Sequence, residues 1–160
     1  MTSFKSGCGF ALIEALVSAA ILSTVLAFAV GAYLVSTKTA GANGANVEAT
    51  FLADEGIDAV RVIRDKGWSV NITPLTVNST YYLTWSGSTW VATTTNTYVD
   101  NTFERKFVLS AVYRDANSDI AASGNLDPNT KKVTVSVSYL KGSATTTKTL
   151  VVYITNILNN

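Results

Sequence analysis

Glu14 is the residue whose chemistry most needs an explanation, because it is the single charged side chain in the apolar stretch from Gly9 to Val35. As a helix, the uncharged part that continues to Lys38 would span roughly 35 Å, which is enough to cross a bilayer. A carboxylate at the centre of a bilayer costs about 2.5–3.5 kcal/mol and normally has a partner. Since Lys5 and Lys38 are out of its reach along the chain, we expect the cation to come from another molecule.

Acidic residues also recur further along the chain, where Asp54 and Glu55 each lie close in sequence to Asp58. Either acid, paired with Asp58, would share one helix surface with it, as a catalytic carboxylate dyad requires. The same spacing is typical of a solvated helix face with weak ion pairs. We favour that second interpretation and predict no catalytic residue here.

A third group of side-chain oxygens has the alternate spacing of the first ligands in a calcium-binding loop. Its members are Asp115, Asn117 and Asp119. Ile120 replaces the glycine that such a loop needs for its turn, and Leu126 replaces its bidentate glutamate. Asx residues also favour turns for local reasons. We therefore prefer a surface loop that ends in a turn at Asp127-Pro128-Asn129, and leave calcium as the alternative.

Composition excludes several kinds of chemistry. The sequence has no His, which rules out histidine-based acid–base catalysis and His-ligated zinc. Its single cysteine, Cys8, cannot form a disulfide within the chain. Twelve basic and 11 acidic side chains give a formal charge of +1, which provides no electrostatic signal for nucleic acid. We predict no enzyme activity, no metal and no cofactor.

The start of the apolar stretch resembles the class III signal of type IV pilins and of type II secretion pseudopilins. The resemblance is carried by Gly9-Phe10-Ala11-Leu12-Ile13-Glu14, preceded by a short leader that contains Lys5. The family pattern has a Gly before the cleaved bond, a Phe after it and a Glu at the fifth mature position. This sequence matches all three, with Ala11 where Thr or Ser is commoner.

The resemblance implies a processing step and a role for Glu14. A prepilin peptidase would cut between Gly9 and Phe10, and the new amine of Phe10 would be methylated. Glu14 would attract the terminal amine of a neighbouring subunit during assembly. Such an amine has a reference pKa of about 8 and is charged at neutral pH, so it would supply the cation that Glu14 lacks.

The implied protein is a structural filament subunit, and two departures from the family bear on its subtype. Many major pilins have a helix-kinking Pro, where this helix has Gly31 and no Pro. Many also have a disulfide-bounded loop, which one cysteine cannot form. Both departures favour a minor pilin or a secretion pseudopilin. The implied partners are other pilin subunits, prepilin peptidase and the pilus assembly machinery, while the task of the filament is left open.

Three other interpretations compete with this one. A secretory signal peptide would have an apolar region of roughly 7–15 residues, whereas this stretch is longer and contains a carboxylate. An ordinary signal anchor, with Glu14 at the membrane interface, would leave the Gly9 to Glu14 spacing as a coincidence. A membrane-anchored binding module would use exposed aromatic side chains, although strands also use these as core pairs. The candidates are Tyr81, Trp85, Trp90 and Tyr98.

The charges around the apolar stretch predict its orientation. Lys5 precedes it and Lys38 follows it, one Lys on each flank, and we take the positive-inside tendency to place the amino terminus in the cytoplasm. We expect insertion into the cytoplasmic membrane, with the folded part outside, before the chain joins an extracellular or periplasmic filament.

The sequence divides into five predicted segments. These are a cleaved leader (1–9), a membrane-spanning assembly helix (10–35), a hinge (36–46), an amphipathic helix (47–66) and a sheet domain (67–160). The hinge contains Gly41 and Gly44, which each cost a helix about 1 kcal/mol relative to Ala. This segment is predicted to bend or partly melt, or to serve as a plain linker.

The predicted fold class is α+β, with the long N-terminal helix packed on a C-terminal antiparallel sheet. Five residues form the apolar face of the amphipathic helix, namely Leu52, Gly56, Ala59, Val60 and Ile63, and Gly67 ends it. Strands are predicted over 80–85, 89–94, 102–114, 132–140 and 146–155, where β-branched and aromatic residues are concentrated. Alternation along them predicts one face of the sheet against the helix.

Overall fold

The computed structural model describes residues 8–158, with side chains except at positions 8, 9 and 42. Helix α1 (Cys8–Asp65) is followed by one turn of π-helix (Trp68–Ile72) and by seven strands. The strands are β1 (Thr80–Ser86), β2 (Thr89–Thr93), β3 (Tyr98–Val99), β4 (Phe103–Arg114), β5 (Ile120–Ala121), β6 (Asn125–Lys141) and β7 (Ala144–Thr155). All strand pairs are antiparallel. The α+β class is confirmed.

The chain divides into two compact units, Met1–Asn43 and Gly44–Asn160. The described part of the first unit is helical, and its described side chains from Phe10 onward are exposed. Within residues 8–158, one helix is long and apolar enough to cross a membrane, and it lies near the N-terminus. The first unit is therefore compatible with membrane insertion.

The segment predicted as a hinge, 36–46, is helical throughout, so no melted turn is present there. An added Cβ at Gly41 or Gly44 would meet nothing within 4 Å. Two glycines cost a helix about 2 kcal/mol in total, and cooperative propagation from the helical residues on both sides offsets this cost. The boundary between the compact units falls inside this segment. Its capacity to bend stays a prediction.

The part of α1 in the second unit is amphipathic, as predicted. Its buried residues recur at three- and four-residue spacing: Ala49, Ala53, Gly56, Ile57, Ala59, Val60 and Ile63. The predicted core residue Leu52 is half-buried. At Gly56 the helix approaches the sheet closely, since a Cβ there would lie 2.8 Å from Cγ1 of Val135. The helix ends at Asp65, and Gly67, with a φ of 145°, follows as the predicted stop.

The sheet has the order β2-β1-β4-β6-β7, with β3 and β5 paired to the two ends of β4. Alternate residues of β4 and β6 are buried beneath the helix. They include Phe103, Phe107, Leu109, Val133, Val135, Val137 and Tyr139, which form one core with the helix residues. The predicted alternation of β4 is therefore confirmed for its first three apolar positions.

The predicted hairpin between Thr80 and Thr94 is present as β1 and β2. Its two-residue loop is Gly87-Ser88, with φ values of 63° and 107°. Positive φ at both positions matches the twist of the flanking strands, and glycine adopts it without a steric cost.

Strand β6 begins earlier than predicted, so Asp127-Pro128-Asn129 does not end a loop, although the backbone N–H of Asn129 donates to Oδ1 of Asp127 as in an Asx turn. These residues lie inside β6, where Val112 of β4 pairs with Asp127 while Ala111 pairs with Lys131. The three residues from Pro128 to Thr130 are thus extra in the ladder. Proline cannot donate a hydrogen bond, and a bulge accommodates it without interrupting the strand.

Candidate functional site

Glu14 lies within helix α1, exposed, and forms no ion pair with any described residue. Along the helix, Lys38 is roughly 36 Å away. Lys5 lies outside the described residues. No described cation therefore reaches Glu14, and the partner of this carboxylate stays a prediction.

The side chains around Glu14 give the helix an apolar surface on every side. The exposed large apolar residues of this stretch are Phe10, Leu12, Ile13, Leu16, Val17, Ile21, Leu22, Val25, Leu26, Phe28, Val30, Tyr33, Leu34 and Val35. Ser23 and Thr24 do not break this character, because their hydroxyls donate to carbonyl oxygens one turn earlier, at 2.8 Å from Ala19 and Ala20. The only strongly polar group in the stretch is therefore the Glu14 carboxylate.

The predicted cleavage site lies at the beginning of α1. The helix starts at Cys8, so the peptide bond between Gly9 and Phe10 is in its first turn, where Phe10 is exposed. The predicted leader, residues 1–9, is otherwise outside the described residues. Glu14 is the fourth residue after Phe10, so both lie on one side of the helix, one turn apart.

The second unit contains an ion pair that was not predicted from the sequence. Arg105 of β4 is only 4% exposed, and its Nη1 lies 2.6 Å from Oε2 of Glu55 on the helix. Nη1 also lies 3.5 Å from the carbonyl oxygen of Leu52, and Cζ lies 5.0 Å from the centre of the Trp90 ring. Nε of Arg105 is buried without a partner. The alternation of β4 could have indicated this buried arginine, because Arg105 occupies an inward position between Phe103 and Phe107.

The acidic residues considered as a catalytic dyad have different environments on the helix. Glu55 binds Arg105, whereas Asp58 accepts a 2.9 Å hydrogen bond from Arg61 on the exposed side of the helix. Asp54 is exposed and forms no ion pair with a described residue. The exposure of Asp54 and Asp58 fits a solvated helix face, whereas Glu55 is held by Arg105.

The candidate calcium loop is organised by hydrogen bonds within the chain. Oδ1 of Asp115 accepts from the backbone N–H groups of Asn117 and Asp119, at 2.9 and 3.0 Å. This is an Asx turn, the local interpretation considered from the sequence. Among residues 8–158, no group of three or more His, Cys, Asp or Glu side chains could hold a metal ion.

An ion pair joins the end of β4 to the bulge in β6. Nε of Arg114 lies 2.6 Å from Oδ2 of Asp127, and the backbone N–H of Asn129 donates to Oδ1 at 2.9 Å. The hydrogen bond from Arg114 lowers the pKa of Asp127 below its usual value, more than burial raises it. This cluster holds the bulge in place.

The four candidate aromatic residues divide into two pairs. Tyr81 and Trp90 are half-buried and pack against the core, and the Tyr81 ring centre lies 5.7 Å from that of Phe107. Trp85 is 61% exposed and contacts Trp90 edge-on at 5.3 Å, while Tyr98 is 58% exposed. Core packing thus accounts for the first pair only.

Comparisons of this chain with protein-family models, with curated proteins and with solved structures give no match. The features of the chain that bear on its function are the apolar helix and the placement of Phe10 and Glu14 at its start.

Proposed function

We propose that this protein is a structural, non-enzymatic subunit of a type IV pilus or a related filament, of the minor pilin type. A prepilin peptidase removes residues 1–9, the Phe10 amine is methylated, and the apolar helix enters the membrane before it packs among the helices of other subunits. The observation that carries the proposal is the lone carboxylate of Glu14, one turn after Phe10, on a helix whose apolar side chains are all exposed because nothing in its own unit covers them.

The energetics support assembly through this helix. Each Val, Leu, Ile or Phe side chain gains about 1.5–3 kcal/mol when it is removed from water, and all of those between Phe10 and Val35 are exposed in the single chain. Lipid satisfies that requirement before assembly, and neighbouring helices satisfy it afterwards. Glu14 is the one group that lipid cannot satisfy, so a neighbouring terminal amine favours the filament over the membrane.

The test is the variant Glu14→Ala in cells that assemble the filament. The chain should still be cut, because the Gly9–Phe10 bond is unchanged, but incorporation into filaments should fall about tenfold or more, since a charged hydrogen bond contributes about 1.5–3 kcal/mol. Ser18→Ala, one turn further along the helix, is the matched control and should assemble normally. Normal incorporation of Glu14→Ala would refute the role proposed for this carboxylate.

A type II secretion pseudopilin is the closest alternative, because it would use the same signal and the same helix. The two differ in the machinery that assembles them. Co-purification of the cut chain with secretion components rather than with pilus components would assign it to the secretion apparatus.

A membrane-anchored binding module is the alternative from a different class, and the exposure of Trp85 and Tyr98 favours it. In a binding module the ligand would raise the free energy of unfolding by RT ln(1 + [L]/Kd), and the melting temperature would rise with ligand concentration; in a structural subunit neither would change. Screening sugars and calcium against the full chain in detergent separates the two classes.

A further inference from the structure

Strand β2 is an outer strand of the sheet, and a groove of about 310 Å³ lies beside it. Four consecutive residues of the strand, Thr89 to Ala92, line this groove. Successive side chains of a strand point to opposite faces of the sheet, so a groove lined by four residues in a row lies beside the backbone. Because β1 pairs with the other edge of β2, the groove runs along the edge that has no partner strand.

The backbone of β2 presents unpaired groups to this groove. The loop Gly87-Ser88 closes a β-turn between Ser86 and Thr89, which makes these two residues a hydrogen-bonded pair. Such pairs alternate with non-hydrogen-bonded pairs along an antiparallel ladder, so the N–H and C=O groups of Trp90 and Ala92 point away from β1. Neither N–H donates a hydrogen bond to a described residue, and the Trp90 carbonyl has only a long contact of 3.5 Å from the hydroxyl of Thr89.

The opposite wall of the groove is formed by the end of α1 and the π-helical turn that follows it. Trp68 and Ile72 are buried and fix this turn against the core, and Val70, between them, is 73% exposed and lines the groove. Of the described residues that line the groove, Lys66 alone is charged, and it forms no ion pair with a described residue. Single turns of π-helix occur frequently at functional sites.

A free strand edge, an exposed apolar side chain and an unpaired cation together select an extended peptide as the occupant. The outward groups of Trp90 and Ala92 recur every second residue, about 6.8 Å apart, which is also the repeat of an extended polypeptide. Each of these residues can exchange a pair of hydrogen bonds with the residue opposite it on an added strand. Lys66 favours an acidic side chain on that strand, because hydrogen bonds between charged groups are stronger than neutral ones. Val70 favours an apolar side chain.

We propose that the free edge of β2 binds an extended segment of a neighbouring filament subunit, which adds a strand to the sheet and directs an acidic side chain to Lys66. In this mode of recognition, main-chain hydrogen bonds provide affinity and the side-chain contacts provide specificity. The contact deepens the proposed function and rests on it for the identity of the partner. That partner is a subunit of different sequence, as the role of a minor subunit requires.

The first experiment selects binders of the full chain in detergent from a library of short random peptides displayed on phage. The enriched peptides should alternate apolar and polar residues, contain an Asp or Glu, and lack Pro. Selection on Lys66→Glu should enrich Lys or Arg in place of the acid, whereas the control Lys141→Glu, at the β6–β7 hairpin, should give the same peptides as the natural chain. Failure to enrich any sequence, or enrichment that ignores Lys66→Glu, would overturn the proposal.

The backbone of an enriched peptide, made synthetically, tests strand addition itself. An added strand directs every second N–H group toward its neighbour. N-methylation of one alternate set should therefore weaken binding more than tenfold, because it removes these hydrogen bonds, while methylation of the other set should change the Kd less than about twofold. Titration followed by tryptophan fluorescence gives both values, since Trp90 lines the groove. Equal effects of the two sets would contradict pairing with β2.

The identity of the partner is tested in cells that assemble the filament. Lys66→Glu should lower incorporation of the chain severalfold and Lys141→Glu should not, while both variants are still cut between Gly9 and Phe10. Normal incorporation of a Lys66→Glu chain that no longer binds the peptide would overturn the assignment of the partner to the filament. An uncut natural chain that still binds the peptide would contradict the proposed function and not the peptide site, so the two failures are distinguishable.

Discussion

Glu55 and Asp58 lie three residues apart on one helix and bind arginines in different environments. The Glu55 partner, Arg105, is buried beneath the helix, whereas the side chains of Asp58 and Arg61 are 70% and 50% exposed. When one member of an exposed pair is removed, water solvates the remaining charge at little cost. When one member of a buried pair is removed, the remaining charge is left without a partner or water, which is costly. The two acids should therefore differ in their contribution to stability.

We predict that Glu55→Ala lowers the free energy of unfolding by about 2 kcal/mol, because it leaves a buried guanidinium unpaired. Asp58→Ala should change it by less than about 0.5 kcal/mol. Adding Arg105→Met to Glu55→Ala should recover most of the loss. Denaturant titration of the full chain in detergent, followed by tryptophan fluorescence, measures all three. Equal effects of the two acid substitutions would contradict this description of Arg105.

Asp127 makes the stability of the sheet depend on pH in a defined direction. Its folded pKa is lowered by the hydrogen bond from Arg114, so the folded state favours the carboxylate. The contribution is complete above the unfolded value of about 4 and is lost as the pH falls through the folded pKa.

We predict that Asp127→Asn lowers the free energy of unfolding by about 1 kcal/mol at pH 7, since the pair is partly exposed. Below the folded pKa of Asp127, the variant and the natural chain should become equally stable. Melting curves of both proteins across this range give the comparison. A difference that is independent of pH would show that the charge of Asp127 is not the cause.

At the scale of elements, Gly56 determines how closely the helix approaches the sheet. A Cβ there would lie 2.8 Å from Cγ1 of Val135 and 3.3 Å from Cδ of Arg105. At Gly44, in the same helix, it would meet nothing within 4 Å. The same substitution therefore has opposite consequences at the two positions.

We predict that Gly56→Ala destabilises the second unit, because overpacking costs about 1–3 kcal/mol and exceeds the gain of up to about 1 kcal/mol in helix propensity. Gly44→Ala should stabilise the helix by up to about 1 kcal/mol. Thermal unfolding followed by circular dichroism compares the pair. A rise in melting temperature for Gly56→Ala would mean that the helix and sheet are not packed as closely as described.

Helices and hairpins could be predicted where a single local sequence pattern determines the structure. The 3.6-residue period over 47–66 and the glycine-containing hairpin loop at Gly87 both led to the observed structure. The bulge at Pro128 was not predictable, because it depends on a register shift between two distant strands. The position of Arg105 was missed for a related reason, since its partner Glu55 lies on another element.

At the scale of the whole molecule, the sequence could predict the order of an apolar helix, an amphipathic helix and a sheet, because each has its own hydrophobic period. It could also identify Glu14 as a carboxylate with no cation within reach along the apolar stretch. The partner of Glu14 could not be predicted from contacts within the chain, because the proposed cation belongs to another subunit. We propose that the chain is cut after Gly9 and then assembles with other subunits, and the cut itself can be tested directly.

The most direct test is the intact mass of the full chain after co-expression with a prepilin peptidase. Our account predicts a mass that corresponds to Phe10 through Asn160 plus one methyl group. A variant with Gly9→Val should remain uncut in the same cells and serves as the control. An uncut natural chain, alongside a known substrate that is cut, would contradict the account and would favour a membrane-anchored binding module.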